Sequence, residues 1–190
     1  MSTTRRWLLA SLAAMVLVAG CATTEPVDPK DTTSSLVFGY FDAKEAPSSI
    51  DWVSIKQYGG TAGYYNVGIK DGLFWHVGVE PGSYQVEKFG GVKRVLIFGN
   101  EVEYNYGTRG RNETAIRIAT PGVYFMGAHR YVPHAGGFFA ADQFEMRAAK
   151  SPSERELLVR LIAELEADKE LRVYTRQIGL AKKRLAELSR

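Results

Sequence analysis

The sequence predicts a mainly β protein, an antiparallel β-sandwich that is followed by a pair of C-terminal helices. From residue 36 to residue 148, short runs rich in Val, Ile, Tyr, Phe and Trp alternate with Gly, Pro, Asn and Asp. Their spacing of roughly ten residues is typical of a sandwich or barrel. Asp71-Gly72 separates two of these runs and indicates a two-residue β-hairpin. From Ser151 onward the apolar spacing changes to that of amphipathic helices.

The N-terminal segment has the features of an exported protein. Arg5 and Arg6 precede an apolar run of about a dozen residues, shorter than the ~20 that a membrane-spanning helix needs. Leu17-Val18-Ala19-Gly20 then leads into Cys21, the single cysteine, and this ending (Leu17–Cys21) resembles the lipobox of bacterial lipoproteins. The resemblance implies lipid transfer to Cys21, cleavage after Gly20 and N-acylation. A transmembrane anchor and an ordinary secretory signal are the alternatives.

The segment that follows Cys21 is predicted to be a tether. Residues 21–35 carry Thr, Glu, Pro, Asp, Lys and Ser with almost no large apolar side chain, so they cannot form a core. The expected organisation is therefore a signal peptide (1–20), a tether (21–35), a sandwich (36–148) and helices (151–190). The expected strands are Leu36–Phe41, Ile50–Gln57, Tyr64–Lys70, Leu73–Val79, Ser83–Phe89, Val92–Phe98, Val102–Tyr106, Thr114–Ala119, Val123–Tyr131 and Phe138–Arg147.

Two helices are predicted at the C-terminus. Ser151-Pro152-Ser153-Glu154 reads as a capping box with Ser151 as N-cap. The second helix has an apolar stripe in a heptad pattern: Leu171, Tyr174, Ile178, Ala181, Leu185 and Leu188. This stripe must be buried against the sandwich, the preceding helix or a partner, and we expect the domain's own surface to cover it.

The charge balance excludes one class of partner. The removal of Arg5 and Arg6 with the signal lowers the number of basic residues from 24 to 22, against 21 acidic residues. A nucleic-acid protein has a strongly basic face, so no nucleic-acid partner is expected. The segment 108–113 reads as a polar loop.

Motifs for catalysis are missing from the sequence. There is no Gly-x-Ser-x-Gly elbow, no Walker loop and no Gly-x-Gly-x-x-Gly before a helix. His129 and His134, with Asp142 or Glu145, are a weak candidate metal set, and surface histidines are the alternative. We therefore predict that the protein is not an enzyme and needs no cofactor or metal, with a hydrolase as the remaining alternative.

Aromatic side chains are the strongest candidates for ligand binding. Trp52 alternates with Val53 and so points away from it, while Tyr64-Tyr65 and Phe74-Trp75 each place one ring on each face of a strand. The candidate residues for a sugar or peptide are Trp52, Tyr64, Tyr65 and Trp75. Core packing is the alternative role for these rings.

The strand region resembles bacterial lipoproteins of uncharacterised role that have a prealbumin-like or carboxypeptidase-regulatory-like sandwich. The resemblance rests on the lipobox, on the run 36–41, and on the turns at Pro81-Gly82 and Pro121-Gly122, each followed by a tyrosine that opens a strand. It implies a prealbumin-like fold and no catalytic residues. Because Ala22 follows the cysteine, the resemblance also favours the outer membrane, with the domain facing the periplasm.

The function expected from the sequence is that of a lipid-anchored envelope interaction or scaffold module without enzymatic activity. Its partners are the membrane, through Cys21, and an envelope protein or the cell wall. A sugar- or peptide-binding module is the alternative.

Overall fold

The computed structural model describes residues 27–59, 63–95, 98–133 and 144–190. Within these ranges the chain forms nine strands and three helices. The strands are β1 (Ser35–Asp42), β2 (Trp52–Tyr58), β3 (Tyr64–Lys70), β4 (Leu73–Val79), β5 (Gly82–Val95), β6 (Phe98–Asn105), β7 (Ile116–Ile118), β8 (Val123–Pro133) and β9 (Phe144–Ala148). The helices are α1 (Thr108–Glu113), α2 (Glu154–Ala167) and α3 (Thr175–Glu187). The prediction of a mainly β protein with two C-terminal helices is confirmed.

The sheet is mixed, and in this it differs from the antiparallel sandwich that the sequence predicts. Its strand order is β6-β5-β2-β3-β4-β1-β8-β9, with β7 paired to β5. Strands β1 and β8 run parallel, and the other pairs are antiparallel. Leu36, Val37 and Phe38 of β1 are fully buried, as expected of a strand covered on both faces. Turn signals report only on strands that are neighbours in sequence, so they do not reveal the β1–β8 pair.

The sheet curls at the β3–β4 hairpin. Only Ile69↔Phe74 and Lys70↔Leu73 pair there, and Asp71 and Gly72 take the positive φ values, 50° and 80°, that a two-residue hairpin turn requires. The sheet encloses an apolar core, which holds Val37, Phe41, Val53, Ile55, Val67, Phe74, Val79, Tyr84, Val86, Phe89, Tyr106, Ile118, Met126, Tyr131 and Met146.

A second core lies between the sheet and the helices. Leu36, Phe38 and Leu73 contribute from the strands, and the helices contribute Leu157, Leu158, Leu161, Ile162, Leu165, Ile178 and Ala181. The remaining stripe residues, Leu171, Tyr174, Leu185 and Leu188, pack against this cluster and are partly buried. The prediction that the stripe packs on the domain itself is therefore confirmed. None of the described helices is long and apolar enough to cross a membrane.

The start of α2 lies two residues later than predicted. The N-cap is Ser153, whose hydroxyl accepts a hydrogen bond from the Glu156 N–H, while the Glu156 carboxylate accepts one from the Ser153 N–H. Ser-x-x-Glu occurs twice in overlapping register, from Ser151 and from Ser153, and the second copy makes the reciprocal bonds.

Three other segments differ from expectation. Strand β5 runs without a break through Gly90-Gly91, and residues 108–113 form a helix instead of a loop. The described part of the predicted tether lies against the domain: Ser34 and Ser35 are buried, and the Tyr174 hydroxyl donates to the Val27 carbonyl at 3.0 Å.

Candidate functional site

A groove runs across the outer face of β2, β3, β5 and β6. The register places Gly68, Trp52, Gly90 and Glu103 in one row across the four strands. Its volume is about 750 Å³, within the range of small-molecule sites. Its lining residues are Trp52, Ser54, Tyr64, Asn66, Val67, Gly68, Lys88, Glu101 and Glu103.

Two glycines set the position of Trp52 in this groove. A Cβ on Gly90 would overlap Cζ2 of the indole and the carbonyl oxygen of Val102, so the ring packs directly on the Gly90 backbone. On the other side, a Cβ on Gly68 would meet only the Asp51 carbonyl oxygen, at 3.9 Å. The space beside the indole is therefore open, and a flat ligand could lie there. This close approach also explains why Gly90 does not interrupt β5.

Ser54 supplies a polar group to the same groove. The residue is only 4% exposed, and its hydroxyl has no hydrogen-bond partner among the described residues. The hydroxyl oxygen is still accessible from the groove, since it is not one of the fully buried side-chain atoms that lack a partner. A ligand hydroxyl in the groove could therefore form a hydrogen bond with Ser54.

Charged side chains flank the aromatic rings. The Lys88 ammonium donates to the Glu103 carboxylate at 2.7 Å, and this hydrogen bond raises the pKa of Lys88. The Lys56 ammonium lies 5.3 Å from the centre of the Tyr64 ring, and the interaction with Tyr64 raises the pKa of Lys56. Glu101 has neither an ion pair nor a hydrogen bond within the described part of the chain. The groove thus combines two rings, a paired cation and one unpaired carboxylate.

The four aromatic candidates separate into two groups. Trp52 and Tyr64 line the groove. Tyr65 points to the opposite face of β3, where its ring lies 4.6 Å from that of His76 and 6.1 Å from that of Tyr84. Trp75 packs against the helix-side core. Alternation along β3 separates Tyr64 from Tyr65, whereas the place of Trp75 depends on the helices that cover β4.

Sequence reasoning missed Ser54, Asn66 and Lys88 as groove residues. Ser54 and Asn66 do alternate with apolar neighbours, and that was the available signal. Their convergence depends on the pairing of Ser54 with both Asn66 and Lys88, which is a property of the register.

Only part of the candidate metal set, His129 and Glu145, lies within the described residues. Burial lowers the pKa of His129, whose Nε2 lies 3.3 Å from the Met126 carbonyl oxygen and whose Nδ1 lies 4.0 Å from the Glu113 carboxylate. His134 and Asp142, like Cys21, lie outside the described residues. No group of three or more potential metal ligands occurs in the part of the chain that the structure describes.

The comparisons with known proteins found no matching family and a weak structural similarity. No protein-family model and no curated protein matches the chain. A solved structure with similarity is a 9R-lipoxygenase from Cyanothece PCC8801, at 12% sequence identity and a TM-score of 0.33. The match covers 82% of this chain but 26% of that chain.

The prediction that the protein is not an enzyme requires correction. The protein with the similar structure is an enzyme, and we withdraw the prediction. Its basis was a lack of motifs, which argues only against the chemistries that those motifs serve. At this TM-score the similarity carries no argument for a particular activity in this chain.

Proposed function

We propose that this protein is a lipid-anchored component of the bacterial outer membrane that faces the periplasm and binds a saccharide in the groove around Trp52. One observation carries the binding proposal: the indole stands beside open space at Gly68, next to the unpartnered hydroxyl of Ser54. The lipobox ending at Cys21 supports the anchor. In this proposal, the groove is the surface through which the protein makes the envelope interaction that the sequence predicts.

The groove suits a saccharide better than a peptide. Sheets usually bind extended peptides through the backbone of an edge strand. Here the groove is centred on β2, which is hydrogen-bonded to β3 on one side and β5 on the other, so its backbone groups are already used. A sugar needs a flat ring for its apolar face and side-chain groups for its hydroxyls. Trp52 offers the first, and Ser54 and Asn66 offer the second.

The same proposal extends to the fold family. We propose that the curled sheet is a variant of the prealbumin-like sandwich found in lipoproteins. The support is that the two halves of the sheet enclose one core, as the layers of a sandwich do, although β1 and β8 pair in parallel.

Tryptophan fluorescence tests the binding proposal. The chain has three tryptophans, so a Trp7→Phe, Trp75→Phe variant reports on Trp52 alone. Titration with β-linked hexose and hexosamine oligomers should quench or shift this emission. The matched variant, Trp7→Phe with Trp52→Phe, keeps Trp75 under the helices and should not respond. Calorimetry that shows no binding of any oligomer to the wild-type protein would refute the proposal.

A further inference from the structure

We propose that the saccharide bound by this groove carries a free, protonated amino group. This inference rests on the proposed function and specifies its ligand class. It assigns charge recognition to Glu101, ring stacking to Trp52 and hydroxyl binding to Ser54.

The charges of the groove call for a cation. Glu103 already has a partner in Lys88, at 2.7 Å, so these two side chains neutralise each other. Glu101 is exposed and has no partner among the described residues, which leaves one uncompensated negative charge in the groove. A protonated amine satisfies it, whereas an N-acetyl group presents a neutral amide.

The strand register brings the carboxylates and the indole to the same face. Gly90 pairs with both Trp52 and Glu103, and Glu101 is two residues before Glu103 on β6 and so faces the same way. Because Gly90 has no side chain, the indole lies over the Gly90 backbone and extends from β2 toward β6 in that row. A sugar ring stacked on Trp52 can therefore extend its amino group toward the carboxylates. The indole itself attracts cations through its electron-rich face.

Ser54 is the independent sign that a polar ligand enters here. It is 4% exposed, lines the groove and has no hydrogen-bond partner in the described ranges. A hydroxyl of the same sugar can donate to it or accept from it. An amino sugar can bind this hydroxyl as well as the Glu101 carboxylate, which is why the structure points to an amino sugar and not to an inorganic ion.

Binding to three oligosaccharides of one length and linkage tests the inference. The probes are β-1,4-linked oligomers of glucosamine, of N-acetylglucosamine and of glucose, titrated calorimetrically into the full-length protein in detergent at about pH 6. We expect the glucosamine oligomer to bind about tenfold more tightly than the other two, the range that an exposed ion pair and a cation–π contact together supply. Raising the salt concentration from about 20 mM to about 500 mM should reduce this preference but leave the binding of the glucose oligomer unchanged.

Two charge-matched variants locate the effect. Glu101→Gln should weaken binding of the glucosamine oligomer about three- to fivefold, with less than a twofold change for the glucose oligomer. Glu170→Gln removes another exposed carboxylate, from the α2–α3 connection, and should not change the binding of either oligomer.

The possible outcomes separate the inference from the function. Equal affinity for the three oligomers would overturn the amino-group inference and leave saccharide binding intact. No binding of any oligomer would overturn the proposed function itself. If trilysine bound as tightly as the glucosamine trimer, the groove would recognise charge alone, and the amino-sugar assignment would be wrong.

Discussion

At the scale of single residues, Gly68 and Gly90 have opposite roles beside the same indole. Gly90 is required by packing, because any Cβ there would overlap Trp52 and the Val102 backbone. Gly68 leaves space that nothing in the fold uses, since its nearest neighbour would be the Asp51 carbonyl at 3.9 Å. A side chain at Gly68 can therefore fill the groove without disturbing the domain, whereas one at Gly90 cannot.

His76 is expected to make the protein less stable in acid. Burial lowers the pKa of His76 to about 4, from an ordinary value of about 6.5. The unfolded chain therefore binds more protons between these pH values, and the free energy of unfolding falls as the pH falls through this window, by at most about 1.4 kcal/mol per unit. Urea denaturation of wild-type protein and His76→Gln at several pH values measures the difference.

The His76→Gln profile should be flatter than that of the wild-type protein between pH 6.5 and pH 4. Burial also lowers the pKa of His129, so a His76→Gln, His129→Gln double variant should be flatter still. Parallel profiles for the wild type and His76→Gln would show that His76 is not held neutral by the fold.

At the scale of elements, the α2 cap gives a test with an internal control. Ser153→Ala removes the hydroxyl that accepts from the Glu156 N–H and should lower the free energy of unfolding by about 1 kcal/mol. Ser151→Ala removes a hydroxyl from the overlapping Ser-x-x-Glu pattern, which makes no cap, and should change stability little. The denaturation midpoints of the two variants show which serine caps the helix. A larger loss of stability for Ser151→Ala than for Ser153→Ala would contradict the assigned cap.

The elements that were predicted are those encoded by local chemistry. Asp71-Gly72 marks its hairpin because few residue pairs adopt positive φ twice in succession. The break expected at Gly90-Gly91 was wrong because these glycines serve close contacts with Trp52 and with the Ser49 backbone, not a turn. The parallel β1–β8 pair joins strands far apart in sequence, and no local pattern reports such a pairing.

The candidate site, like the fold, could be predicted in part from the sequence. Alternation places Trp52 and Tyr64 on outward faces, and both line the groove. Alternation along a strand does not show which outward face the helices cover, and Trp75 lies under the helices. The unpartnered state of Ser54 depends on side chains from three strands, so it could be recognised only in the folded structure.

At the scale of the whole molecule, α3 is part of the domain and not a separate arm. It buries Ile178 and Ala181 against the helix-side core, and Arg184 donates to Glu154 of α2 at 2.9 Å. Truncation after Ala167 should therefore lower the melting temperature by on the order of 10 °C, the effect of losing a few kcal/mol in a domain of this size. Calorimetry measures this change, and an unchanged melting temperature would mean that α3 is dispensable for the fold.

The proposed anchor predicts where the protein fractionates. Cys21→Ser removes the thiol that would receive the lipid, and the apolar segment is too short to span a bilayer. The variant should lose its association with the outer membrane after cell fractionation, because the lipid on Cys21 is the proposed anchor. Wild-type partitioning of Cys21→Ser would contradict the lipoprotein proposal.

The central claim is that the space beside Trp52 holds a saccharide, and Gly68→Val tests it most directly. Valine fits a strand and fills the open position, so the variant should unfold at the same denaturant concentration as the parent or slightly above it. In the Trp7→Phe, Trp75→Phe background, addition of the glucosamine oligomer should quench or shift the emission of Trp52. The account predicts that Gly68→Val abolishes this response in a fully folded protein. An undiminished response in that variant would contradict it.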